Sequence, residues 1–313
     1  MNIQNTNTAA VVSQVTNTQT TPSVDNYQSL SSSAILVELS IGQSTGRKKD
    51  KAASVELCND KGAKRKAAAV HKQLFGDCEE LEAIQKCVSL ARRTHEEMTL
   101  PWGKLGQRML TTVKQPDYIK TMTGLQNQFH DLVNAFGDVH PTILINVYQE
   151  LGDLYDPNDY EPWDTLKTRY RFNIQQWSMP DTGDIRLDLP REALEQMKAD
   201  MQTAIQENLV AANTNLWERV RKVCTNMSNR LDYGDDETKK RFNDTLVTNV
   251  EGMVELLRSL NVTNDPQMVK VSNRIEDTLR GVTPDALRED SYMRSETKRE
   301  IDDVLASLPN LDI

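Results

Sequence analysis

The chain is short of the residues that usually build compact catalytic cores. Aromatic residues make up 5% of its 313 positions and hydrophobic residues 38%, against roughly 45–50% for globular domains on a count that adds glycine. That shortage suits long amphipathic helices better than one thick core. Its four cysteines, Cys58, Cys78, Cys87 and Cys224, have no C-x-x-C spacing, so they read as small buried hydrophobes and not as a redox pair or a disulfide framework. The four histidines, His71, His95, His130 and His140, make no HExxH pair, and no metal site is expected. His71 and Cys78 are spaced two helical turns apart, on one side of a helix, which falls far short of a ligand set. Nowhere do about 18 apolar residues run together, and residues 1–33 carry neither a basic stretch nor an apolar one. Neither a membrane span nor a secretory signal is expected, and the location expected is cytoplasmic.

Other catalytic patterns are missing too. No serine sits in a G-x-S-x-G elbow. The segment Gly42-Gln43-Ser44-Thr45-Gly46-Arg47-Lys48-Lys49 lacks the order of a phosphate-binding P-loop, because arginine follows the second glycine and no Ser/Thr follows the lysine. The residues point to no catalytic centre, so the expectation is a protein that is not an enzyme and needs no cofactor.

What is present is organised along the chain in three parts. Residues 1–33, rich in Asn, Gln, Thr and Ser, cannot bury enough apolar surface to offset backbone entropy, and the expectation is a disordered tail. Residues 34–189 read as an α+β region. It holds a strand at 34–41, an apolar stripe Leu74, Cys78, Leu81, Ile84, Val88, Ala91, and a second stripe from Tyr118 to Phe136 closed near Gly137. A further helical stretch spans 142–151. The stretch 100–112 reads as irregular from its Pro and Gly. Alternation at 171–177 and 184–189 predicts a β-hairpin that pairs with the first strand.

Residues 190–313 read as a bundle of long helices. Leu194, Met197, Met201, Ile205, Leu209, Ala212, Leu216, Val220, Val223, Met227 and Leu231 form one stripe at helical spacing, on a helix of roughly 60 Å at 1.5 Å per residue. A short link should fold the next helix, 242–260, back antiparallel. Helices at 266–280 and 284–308, the second capped by Thr283, complete the region. The fold class expected is mainly α, a helical bundle or coiled-coil-like set of antiparallel helices with a small antiparallel sheet.

Charge is unevenly placed. The net charge is −9, yet residues 46–72 hold nine Lys/Arg against three acidic residues, a local +6. Arg47, Lys48, Lys49, Lys51, Lys64, Arg65 and Lys66 are the candidate phosphate or nucleic-acid contacts, since clustered cations displace counterions from a polyanion. The alternative is a solvated helix entry, leading into the stripe that starts at Leu74, or a contact to the acidic remainder of a partner subunit. Asp153, Asp156, Asn158, Asp159, Glu161 and Asp164 make a compensating acidic loop, read as solvated because Glu161 stands where a calcium loop needs glycine.

Several segments resemble a functionally uncharacterised family encoded by tailed phages, prophages and integrative elements. They are 34–41 with Gly46-Arg47-Lys48, then Thr99-Leu100-Pro101-Trp102-Gly103, Leu151-Gly152-Asp153-Leu154-Tyr155 through Asp159-Tyr160, Arg169-Tyr170-Arg171-Phe172, and Leu216-Trp217-Glu218-Arg219. Members of that family resemble companions of MoxR-type AAA ATPases, which implies an adaptor role with such an ATPase as partner. The function expected is therefore a non-enzymatic phage accessory protein, a helical scaffold for self-association into a homo-oligomer or for a protein partner. The alternative is a nucleic-acid-binding protein of phage replication or recombination.

Overall fold

The computed structural model describes residues 30–103, 106–180, 190–233, 243–262 and 264–310. The protein is mainly α, with long antiparallel helices and a small antiparallel sheet. Strand β1 (Ala34–Gly42) is central. It pairs with β5 (Arg108–Thr111) through Ala34–Val37 and with β6 (Arg171–Ser178) through Ile35–Gly42, while β4 (Leu100–Pro101) closes the other edge. A second, two-stranded sheet joins β2 (Arg47–Asp50) to β3 (Val70–Gln73), with helix α1 (Lys51–Asp60) between them.

Because side chains alternate along β1, its two faces serve two cores. Ala34 and Leu36, with Leu100 and Met109, face the carboxy-terminal bundle; Ile35, Val37, Leu39 and Ile41, with Leu110 and Phe172, face α2 (Glu79–Met98) and α3 (Gln115–Leu151). These two helices run antiparallel, since the Cys87 thiol reaches the Leu125 carbonyl at 3.7 Å and His95 meets Tyr118 at 2.7 Å. The short helix α4 (Trp163–Lys167) packs on α3 and leads to β6.

On the other side, α5 (Arg191–Leu231) is the long helix of the bundle, joined by α6 (Thr245–Leu260), α7 (Pro266–Leu279), α8 (Pro284–Glu289) and α9 (Ser291–Ser307). Helix α9 runs antiparallel to α5, as the bonds from Arg221 to the Pro309 carbonyl and from Ser228 to Asp302 fix. The core reaches from Leu216, Val220 and Leu257 to Leu36 and Met109 of the sheet. The bundle thus shares its interior with the strands that precede residue 190.

Several expectations need correction. The stretch 100–112 is not irregular throughout but supplies β4 and β5. Leu100, Met109 and Leu110 are all fully buried, so no polar alternation marks them, and Pro101 is tolerated because β4 is an edge. The break near Gly137 does not occur, and α3 runs on through Pro141 to Leu151. Gly137 is there for close approach: a Cβ on it would lie 2.5 Å from Cζ2 of Trp163. Leu74 and His71 precede α2, whose N-cap is Cys78, so His71 and Cys78 do not share a helix face. The single helix expected at 284–308 is divided at Asp290, whose carboxylate caps α9 by accepting from the amides of Tyr292 and Met293. Residues 30–33, placed in the tail, form a helical turn with Leu30 buried against the bundle-side core. The rest of the tail, residues 1–29, and the strand expected at 184–189 lie outside the described residues.

Candidate functional site

The basic segment does not enter a helix directly. It folds as β2, α1 and a loop that returns to β3, and this arrangement sorts its cations. Alternation on β2 turns Lys48 to one side and Arg47 and Lys49 to the other. Across the ladder Lys48 stands opposite Lys72, and Lys49 opposite His71.

Lys48 and Lys72 meet the loop that follows α3. Lys72 is buried, with its ammonium 2.5 Å from one Asp159 oxygen and 3.3 Å from Asp50, and it donates to the Leu154 carbonyl at 2.8 Å. Lys48 bonds the other Asp159 oxygen. Burial opposes the charge on Lys72, but the two carboxylates outweigh it and raise its pKa. Burial likewise works against the Asp159 carboxylate, and the two lysines overcome it and hold its pKa down. The acidic loop is therefore an internal counterion, not a solvated one, at Asp159. Asp156 is spent on the turn, accepting from the amide and the side chain of Asn158, and Glu161 pairs with Arg169.

The other cations of the segment face outward. Arg47, Lys49, Lys51, Lys61, Lys64, Arg65 and Lys66 are all exposed, and among the described residues no ion pair joins any of them. Their backbone is nonetheless well held. Asp50 caps α1 by accepting from the Ala53 amide at 2.9 Å, and that bond is the main reason its pKa is lowered. Ser54 accepts from the Val70 amide at 2.9 Å and donates to the Asp50 carbonyl, and the Cys58 thiol reaches the Ala68 carbonyl at 3.8 Å. The loop turns between Lys64 and Ala67 with Lys66 at φ 86°. Lys51 and Arg65 line a shallow open cleft together with Glu56 and Asp60.

A second constellation escaped the sequence. Two arginines, Arg108 on β5 and Arg219 on α5, converge on the carbonyls at the end of α2. Arg219 donates to Glu96, Glu97 and Thr99 at 2.8–3.0 Å, and Arg108 donates to Glu96, to the Thr99 carbonyl and to the Thr99 hydroxyl at 2.6–3.3 Å. They do from outside what a C-terminal cap does locally. Burial, and then the Arg108 charge, pull Arg219 down to about 10. Beside them His95 Nδ1 hydrogen-bonds with the Tyr118 hydroxyl at 2.7 Å, and burial, aided by Arg108, lowers the pKa of His95 to about 4. No periodic signal announces Arg219, which sits between core positions Leu216 and Val220.

The segments that carried the family resemblance meet in these two places. Thr99-Leu100-Pro101-Trp102 abuts Leu216-Trp217 and Arg219, while Lys48, Leu154, Asp159 and Arg169 assemble around the acidic loop. Both are packing junctions. Of the histidines, His71 and His130 are exposed, and His140 is buried among Phe75, Phe136 and Trp163. All four cysteines are buried. Burial raises the thiols of Cys78 and Cys87 and pushes Cys224 up to about 12, the opposite of an activated nucleophile. Among the described residues no group of three His, Cys, Asp or Glu could hold a metal, and no helix is long and apolar enough to cross a membrane. Compared with protein-family models, with curated proteins and with solved structures, the chain matches none.

Proposed function

We infer that the protein is a non-enzymatic helical scaffold that self-associates through the first third of α5. One observation carries this. The apolar stripe of α5 continues toward its amino terminus beyond the core: residues 191–204 include no buried position, whereas Ile205, Leu209, Ala212, Leu216 and Val220 are all buried. Leu194 and Met201 are half-buried and Met197 is 42% exposed. A segment of this kind spans roughly 20 Å at 1.5 Å per residue, enough for a second helix to lie along it. Burying each Leu or Met fully would contribute roughly 1.5–3 kcal/mol.

The raised pKa values of Cys78, Cys87 and Cys224 and the pKa values of His95 and His140 lowered by burial support the non-enzymatic side of the reading. The resemblance to phage-encoded companions of AAA ATPases adds such an ATPase as the heterologous partner of the same face, and the host cytoplasm as its setting. Light scattering across a concentration series tests self-association, with Leu194→Asp combined with Met197→Asp as the variant. The parent should form an oligomer that the double variant reduces to monomer with its helical circular-dichroism signal retained. A parent that stays monomeric, or a variant that keeps the parent's size, overturns the scaffold.

A further inference from the structure

We propose that the outward face of β2, α1 and the 61–69 loop is a binding surface for the phosphate backbone of a nucleic acid. It lies on a different element from the α5 segment, and neither reading depends on the other.

The first argument is charge that the fold leaves unused. Residues 46–72 carry +6 and the molecule −9, so the other residues carry −9 − 6 = −15. Among the described residues, that acidic remainder supplies only Asp159, which pairs with Lys48 and Lys72. Arg47 and Lys49 on the strand, Lys51 at the start of α1, and Lys61, Lys64, Arg65 and Lys66 in the loop stay exposed, with Glu56 and Asp60 the acidic groups of the same cleft. Seven like charges held by an ordered backbone repel one another, and a polyanion relieves that repulsion while releasing its own counterions. Elsewhere the acidic surface repels the same polyanion, so binding is confined to this face.

The second argument is shape. Around the loop cations stand Gly62, Ala63, Ala67, Ala68 and Ala69, all exposed and small, so a backbone can come close. No Phe, Tyr or Trp lies between 46 and 73, where His71 is the one exposed ring, which leaves little base stacking and makes phosphate contact without sequence preference the main interaction. A protein interface of ordinary kind has an apolar centre. Here the one large apolar side chain at the surface is Leu57, 37% exposed, which is too little for a protein partner or for insertion into a membrane.

The test uses the full chain and a fluorescently labelled random-sequence DNA duplex, read by anisotropy. Affinity should fall on the order of 10²–10³-fold between ~50 and ~200 mM salt if four to six phosphates are neutralised. Lys64→Glu with Arg65→Glu and Lys66→Glu, all in an exposed loop, should abolish binding at the lower salt. Lys120→Glu with Lys222→Glu and Lys270→Glu changes the net charge equally at exposed helix positions and should leave affinity within about twofold. Absence of binding at the lower salt overturns the proposal, as does an equal loss in the control triple. Vesicles containing phosphatidylserine should bind far more weakly than the duplex; binding as tight as the duplex overturns the assignment to nucleic acid.

Discussion

The two sides of the central sheet are built from different material. The α2/α3 side buries Phe75, Tyr118, Phe129, Phe136, Tyr170 and Phe172, and sets titratable groups such as His95 and His140 among them. The bundle side is aliphatic, a long seam of Leu, Val, Ile and Met with Trp102 and Trp217 near the sheet. Both cores lose stability when volume or polarity changes. The aromatic one, with titratable side chains buried in it, responds also to pH.

The largest effect expected is a charge placed in the seam. Leu216 is fully buried, so Leu216→Asp should abolish the cooperative helical signal in circular dichroism. On the aromatic side Phe136→Ala empties the space between Phe75, Trp163 and Tyr170. Denaturant titration should show a loss of roughly 3–5 kcal/mol.

Acid should act on the aromatic side. His95 has a folded pKa of about 4 against 6.5 in the open chain, so the unfolded state takes up the proton first. The stability tied to neutral His95 is complete above pH 6.5 and is lost as pH falls toward 4, by roughly 3 kcal/mol in all. Unfolding free energies measured at both ends of that window check this, and His95→Gln should flatten most of the dependence.

Arg219→Ala removes a donor that links the two sides and leaves three carbonyls short of it. A cost of ~1–3 kcal/mol is expected, with the two sides melting less cooperatively in calorimetry. The smallest effect belongs to Met197→Asp, which should alter the thermal stability of the dilute, dissociated chain by less than about 0.5 kcal/mol because the position is outside the core. A larger fall would show that the seam's amino-terminal stretch is buried in the monomer after all.

What could be read in the sequence followed one-sided periodicity. The α5 stripe and the strand at 171–177 each set a core face against a polar one, the strand at 34–41 stood out as a β-branched apolar run, and each formed as expected. Met109 and Leu110 face two different cores and are both buried, so β5 has no polar face to announce it. Gly137 read as a stop because propensity is local, whereas the Trp163 ring that needs Gly137 comes from a later segment. The basic surface was visible as charge. Its division was not, for Lys48 and Lys49 differ only in which side of β2 they occupy, and the aspartate that claims Lys48 lies 111 residues away.

The sharing of the sheet between two cores sets an order on synthesis. When Thr111 leaves the ribosome, the face bearing Ala34, Leu36, Leu100 and Met109 has no cover, because its partners on the bundle side begin at Ile205 and end at Leu308. At 5–20 residues per second the last of them follows about 10–40 s later. Through that interval the nascent chain carries a half-covered sheet whose α2 terminus still lacks Arg219. Chaperone occupancy on translating ribosomes should therefore rise after β5 emerges and fall once α9 is released.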